Sequence, residues 1–418
     1  MSNIANTVTS VRWTAIFPWL ILVRAARVSL MVRVIGLAVV GVALTQGGWA
    51  IIDGLTIARD DAQLHQRLTD SAIDAQPGVE FGFDARHGFD LHAQVLGSPL
   101  VRGWSWASQS FGILFERGGN WPRWFGALLG GLWAIAVWAL FGGAIARIAA
   151  LYLTRGETVV PLAALKAAFV RWPSTAGAPV FALIAIFLLS LPLIFIGWTI
   201  RLDFFALLAG LLWFLILIGG VALAVLAIGL AIGWPLMWST VAVERTDAFD
   251  GISRGYAYVY QRPLHLLFFV IVAGALGLLA QAAINLIVEG SIDATQWAVS
   301  SGAGELRSLE LLEPGVAENR PSLGGMGLLG SKMMRFWTDA LYWFAAAFPM
   351  AYLFPAATGI YLLMRRQIDA ADLGDVTFDE GDPQRGLPTL ANDPVTSVPH
   401  VVDPAATAAP HPPTAPAP

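Results

Sequence analysis

Apolar residues in this chain come in long unbroken runs rather than in alternating or three-to-four-residue patterns. From Phe204 to Val243 there is no Asp, Glu, Lys, Arg or His. As helix, such a run is about 60 Å long, roughly twice the hydrocarbon thickness of a bilayer. Further charge-free runs cover 34–52, 124–146, 172–200, 266–288 and 340–364, each bounded by ionisable residues such as Arg33 and Asp53 or Arg123 and Arg147. The pattern predicts an all-α membrane protein with about six transmembrane helices, spanning about 34–52, 124–146, 177–200, 204–232, 266–288 and 340–364. Residues 1–33 are an N-terminal cytoplasmic or interfacial segment, 34–366 the polytopic membrane domain, and 367–418 a tail.

How the long run is folded decides the sidedness of everything after it. If it crosses once, Arg24, Arg27, Arg33, Arg147, Arg155, Lys166, Arg171, Arg245, Arg254, Arg262, Arg365 and Arg366 all fall on one side, which the positive-inside rule makes cytoplasmic. If it turns back at Gly219-Gly220, the last pair of arginines moves outside. A single crossing that bends at Gly233-Trp234-Pro235 is therefore expected, with both termini in the cytoplasm of a bacterial inner membrane. The first span reads as a retained signal anchor, and residues 13–31 as an interfacial stretch whose arginines snorkel to headgroups.

This orientation leaves extracytoplasmic loops at 53–123 and 289–339. In the first, Val79, Phe81 and Phe83 alternate with polar or small residues, Ala85 to Gly88 intervene, and Phe89, Leu91 and Val95 resume the alternation, which predicts a small β-hairpin. Helices are expected at 57–75, 105–115 and 304–312, giving a small α/β loop region. On the cytoplasmic side 158–171, with Pro161 at a helix start, suits a helix lying on the membrane surface. The tail turns acidic and then Pro- and Ala-rich, the composition of a disordered segment.

Composition agrees with lipid as the main solvent. The 418 residues are 56% hydrophobic and only 13% charged, where about a quarter is usual for a soluble domain. Net charge is −4 with the basic residues scattered, so nucleic acid is not an expected partner. The absence of cysteine excludes disulfides, thiolate metal ligation and thiol nucleophiles.

The most patterned segment connects two spans, from Glu244 to Pro263. Thr246 or Asp247 can cap a short helix, Asp250 faces Arg254 at i,i+4, and Phe249, Ile252, Tyr256 and Val259 form a stripe at helical spacing. With Glu244 ending an apolar span, and Ala248, Ser253 and Arg254 following, the connector resembles that of bacterial glycerophosphodiester phosphodiesterase membrane domains. The stretch from Phe141 to Ala150, Glu157-Thr-Val, Phe17-Pro18-Trp19 and Gly47-Gly48-Trp49 look like uncharacterised multi-pass inner-membrane proteins of planctomycete-type bacteria. The resemblance covers about half the chain and implies a membrane domain without the phosphodiesterase catalytic domain, whose metal-binding motifs are missing here.

Candidate interaction or coupling residues are Arg147, Glu157, Glu244, Asp247, Asp250, Arg254 and Tyr256, with Arg147 either a snorkelling anchor or a partner for Glu157 or Glu244. Gln281 and Asn285 are intramembrane polar residues four apart on one helix face. Gly142, Gly143 and Ala146 make a shoulder that another helix can approach closely. Asp84, His87, Asp90 and His92 are metal-ligand types at no standard zinc spacing, and neither metal nor cofactor is expected. No phosphate-binding loop or nucleophile motif occurs. The functional expectation is a non-enzymatic integral membrane protein with a structural, lipid-interacting or membrane-assembly role. Its partners would be membrane lipids and other membrane proteins or a second copy. The alternative is a transporter or permease subunit using 244–263 as a coupling helix.

Overall fold

Without water around it, a backbone satisfies its N–H and C=O groups within its own segment, and long apolar runs become long helices. The computed structural model describes residues 17–55, 83–84, 88–89, 97–115, 121–312, 324–377, 390–392 and 399–401. It divides into two units, Met1–Val376 and Thr377–Pro418. In the first unit the helices are α1 (Ile21–Ser29), α2 (Val32–Leu55), α3 (Pro99–Leu114), α4 (Trp121–Arg155), α5 (Pro161–Val170), α6 (Trp172–Thr199) and α7 (Asp203–Leu211). They continue with α8 (Trp213–Glu244), α9 (Ala248–Gln261), α10 (Pro263–Ala303), α11 (Glu305–Leu312), α12 (Gly325–Ala346) and α13 (Phe348–Ile368).

Among the described residues six stretches are long and apolar enough to cross a membrane: α2, α4, α6, α8, α10, and α12 with α13 taken together. The protein is thus a multi-pass membrane protein by helix length and composition. Several helices overrun their charge-free runs. α10 continues through Glu289 and Asp293 to Ala303, and α12 starts at Gly325, so much of the expected loop 289–339 is helix. In the forty-residue run α8 passes unbroken through Gly219-Gly220 and through Pro235. The break falls at Leu212, between α7 and α8.

At the centre stands α13, buried from Phe348 to Arg365 and packed against α1, α3, α4, α8 and α10. A chain of ring contacts crosses the core beside it: Trp49, Trp106, Trp138, Phe354, Trp238 and Trp234, with successive centroids 5.1–6.0 Å apart. Gly142 lies under Phe354, where a Cβ would come within 2.4 Å of the ring, and Gly143 faces Ala168 of α5 and Thr175 of α6. The small-residue shoulder on α4 is used on both sides.

Residues 21–29 form a helix that docks on α13, burying Ile21, Leu22, Ala25 and Val28. In α5 the buried residues are Ala164 and Ala168, while Leu162 and Phe169 are exposed. The helix expected at 105–115 is α3, which begins earlier, at Pro99, and packs into the bundle: a Cβ on Gly103 would come within 2.6 Å of the Pro349 carbonyl of α13. Of the expected hairpin, Phe83 pairs with Phe89 and Asp84 with Gly88, two pairs that do not amount to an α/β loop region. The rest of that alternation, the helix at 57–75, and His87, Asp90 and His92 lie outside the described residues. In the second unit Leu390–Asn392 pairs antiparallel with Pro399–Val401, and most of the tail lies outside the described residues.

The tightest pairing is between α8 and α9, which run antiparallel with interlocking glycines. A Cβ on Gly229 would strike the Tyr256 ring at 2.3 Å, one on Gly255 the Met237 side chain at 2.6 Å, and Gly233 meets the Gly255 carbonyl. Spaced four apart on each helix, these glycines let the backbones approach. The stripe of Phe249, Ile252, Tyr256 and Val259 divides between two faces. The buried face is Ala248, Gly251, Gly255, Tyr258 and Val259, and Phe249 is 67% exposed. Gly255→Leu overpacks this seam and is expected to lose about 1–3 kcal/mol of stability, read as a lower midpoint in SDS-titrated unfolding. Gly210→Leu, with open space around it, leaves the midpoint unchanged.

Candidate functional site

The C-terminal ends of α4, α5 and α8 each leave carbonyls with no partner in their own helix. Arginines take them. Arg24 donates to the Tyr152 carbonyl at 2.8 Å and lies over the Tyr152 ring, Arg245 donates to Ala167 at 3.1 Å, and Arg147 to Ala242 at 2.9 Å. Each cation also meets the negative end of a helix dipole. Arg147 is only 5% exposed, so it does not snorkel. Nor is it among the partners of Glu244: the unfilled carbonyl at the end of α8 draws its guanidinium instead. Gly156, at φ +73°, and Glu157 close the end of α4, their N–H groups donating to Tyr152 and Leu151.

Beside these caps the Glu244 carboxylate sits 9% exposed at the last position of α8. One of its oxygens accepts from Arg254 of α9 at 2.5 Å and from the Tyr361 hydroxyl at 2.5 Å, and forms an ion pair with Arg365 of α13 at 3.0 Å. Arg254 also approaches Asp369 at 3.6 Å and Asp250 at 3.9 Å. Arg365 bonds the carboxylate and carbonyl of Asp375 at 3.1 and 2.7 Å. The Tyr258 hydroxyl donates to Asp369. Burial, and then that hydrogen bond, hold the Tyr258 hydroxyl above the ordinary tyrosine value. Burial alone would lower Arg254; its acidic surroundings, the Glu244 and Asp250 carboxylates among them, prevail, and its guanidinium is held above the usual range. Two arginines thus share one sealed carboxylate, joining α8, α9 and α13.

Of the residues singled out in the sequence, Glu244, Asp250 and Arg254 meet here. Asp247 caps α9, its carboxylate accepting from the Asp250 N–H at 2.9 Å. Tyr256 lies on another face, its hydroxyl donating to the Leu226 carbonyl at 2.8 Å. Gln281 and Asn285 are buried in α10, where the Gln281 amide donates to Asn285 at 2.8 Å and reaches the Ala345 carbonyl at 3.5 Å. Tyr258, Tyr361, Asp369 and Asp375 carried no sequence signal for the cluster, because their partners lie about ten to more than a hundred residues away. Arg245 adopts a left-handed conformation, φ 59°, which lets α8 turn into α9 within three residues.

A second feature has no counterpart in the sequence reading. α3, α4, α6 and α8 enclose a chamber of about 360 Å³, walled by apolar side chains including Phe111, Ile135, Trp138, Leu183, Leu230 and Trp234. Pro235 cannot donate to the Ala231 carbonyl one turn below it. The Trp104 indole takes that carbonyl at 2.7 Å, pinning α3 to α8 at the chamber edge. No family model, curated protein or solved structure matches the chain.

Replacing Glu244 by Leu leaves Arg365 with Asp375 as its remaining counter-charge, and about 3 kcal/mol of stability is expected to be lost; Asp372→Asn, at an exposed position, costs nothing measurable in the same SDS titration. Burial, with Tyr260 second, pushes Tyr256 up to about 12. Its ordinary value is about 10, so the stability linked to its proton is complete below about pH 10 and is lost as pH rises through about 12. Absorbance titration at 295 nm should place its ionisation there, and Tyr256→Phe should remove that step.

Proposed function

We propose that this chain is a non-enzymatic multi-pass protein of a bacterial inner membrane with a structural, lipid-interacting or membrane-assembly role. In this reading it makes six crossings, holds its termini and arginine-rich end in the cytoplasm, and presents extracytoplasmic loops and a disordered tail. The observation carrying the reading is how Glu244 is used. Its oxygen is committed to Arg254, Arg365 and Tyr361 of the same chain, which suits a connector that fastens helices together rather than one that docks a motor. The likeness to planctomycete-type inner-membrane proteins and to phosphodiesterase membrane domains belongs to the same proposal, as do lipids, other membrane proteins or a second copy as partners.

The permease-subunit alternative draws support from the outward end of α9. There Phe249 is exposed, and a surface hollow is lined by Thr246, Asp247, Phe249 and Asp250.

Protease-cleavable tags at both termini test the topology. Both are expected to be cut in inside-out vesicles and protected in right-side-out ones; a C-terminal tag cut from the outside overturns six crossings. Native mass spectrometry from lipid nanodiscs tests the role: lipid or protein adducts retained at fixed stoichiometry support it, and a bare chain counts against it.

A further inference from the structure

Resting on that lipid-interacting reading, we infer that the chamber between α3, α4, α6 and α8 is a binding site for one acyl chain of a membrane glycerolipid, its headgroup remaining outside. Among the described residues no Asp, Glu, Lys, Arg or His lines the chamber, so a charged headgroup drawn inside would find no countercharge among them. A hydrocarbon chain loses nothing by entering. The mouth is framed by Phe115, 61% exposed, and Ile228, 51% exposed. Around it, exposed Ile184 and Phe187 of α6 and Val225 and Ile232 of α8 belong to helices apolar enough to cross the bilayer. The opening is therefore continuous with surface that lipid covers, and the molecules at its threshold are lipids.

The walls are preformed. Pro235 breaks the hydrogen-bond ladder of α8 at the chamber edge, and the Trp104 indole fills the gap, setting the distance between α3 and α8. Trp138 and Trp238, 1% and 3% exposed, are held by stacking on Phe354. About 360 Å³ falls within the range of about 300–1,000 Å³ typical of small-ligand sites.

The test uses the full chain in nanodiscs of phosphatidylethanolamine and phosphatidylglycerol doped with a phospholipid carrying a diazirine in one acyl chain. After illumination, crosslinked peptides are mapped in the wild type, in Ala227→Trp and Ala107→Trp, which fill the chamber, and in Ile287→Trp, whose position is 67% exposed. Wild-type crosslinks are expected to concentrate on the lining residues of α3, α4 and α8. They should fall about tenfold in either filled variant, as expected when a side chain takes the ligand's space, and stay unchanged in Ile287→Trp. Wild-type crosslinks spread evenly over the exposed faces of α6, α8 and α10 overturn the site while leaving the membrane reading intact. A chain that does not enter the nanodiscs overturns both.

Discussion

Desolvating the Glu244 carboxylate costs several kcal/mol unless opposite charge is buried with it, and meeting that requirement brings together helices that are distant in sequence. Arg254 and Arg365 come from α9 and α13, and Tyr361 completes the set. With α9 held there, the glycines of α8 and α9 stay in register and Tyr256 reaches the Leu226 carbonyl. With Arg365 held there, the end of α13 is fixed against α8, and the segment to Asp375 folds back over it. Loss of the carboxylate would remove the one group that Arg254 and Arg365 share, leaving each to its own aspartates.

The same economy governs the backbone. In apolar surroundings a carbonyl without a donor is costly, and at several interruptions a long side chain from elsewhere supplies one. Arginines serve the ends of α4, α5 and α8, and Trp104 serves the Ala231 carbonyl that Pro235 frees. Three more indoles reach carbonyls within continuous helix, Trp49 donating to Gly130, Trp133 to Leu44 and Trp172 to Ala136. An indole suits this task because its one N–H sits on a large apolar body. The tryptophan content of the chain is thus partly an inventory of helix-to-helix fastenings.

The number of long helices was legible because length and lack of charge suffice to mark them. The Asp247 cap and the helix at 248–261 were legible because their chemistry is local. Where the reading failed, partners were remote or the decisive residues were small. Nothing near Trp104 indicates that it will meet the carbonyl freed by Pro235. Hydrophobic spacing gives weight to large residues such as Phe249 and Ile252, whereas Gly251 and Gly255 decide how α9 meets α8. Glu244 was picked out for standing at the end of a span, but the partners contributed by α13 and the residues after it had no mark in the pattern.

The position of α13 bears on how the protein is made. It is the most enclosed helix, yet it follows α1 to α12 in the chain, so the ribosome delivers the centre of the bundle after its surroundings. At about 5–20 residues per second, the rest of α13 trails Glu244 by several seconds. During that interval the nascent helices hold a vacant central slot, and the Glu244 carboxylate waits without Arg365. Completion of the fold is then a late docking event. A nascent chain stalled before α13 would expose Gly142, Trp238 and the inner face of α1 to whatever insertion factors or lipids are nearby.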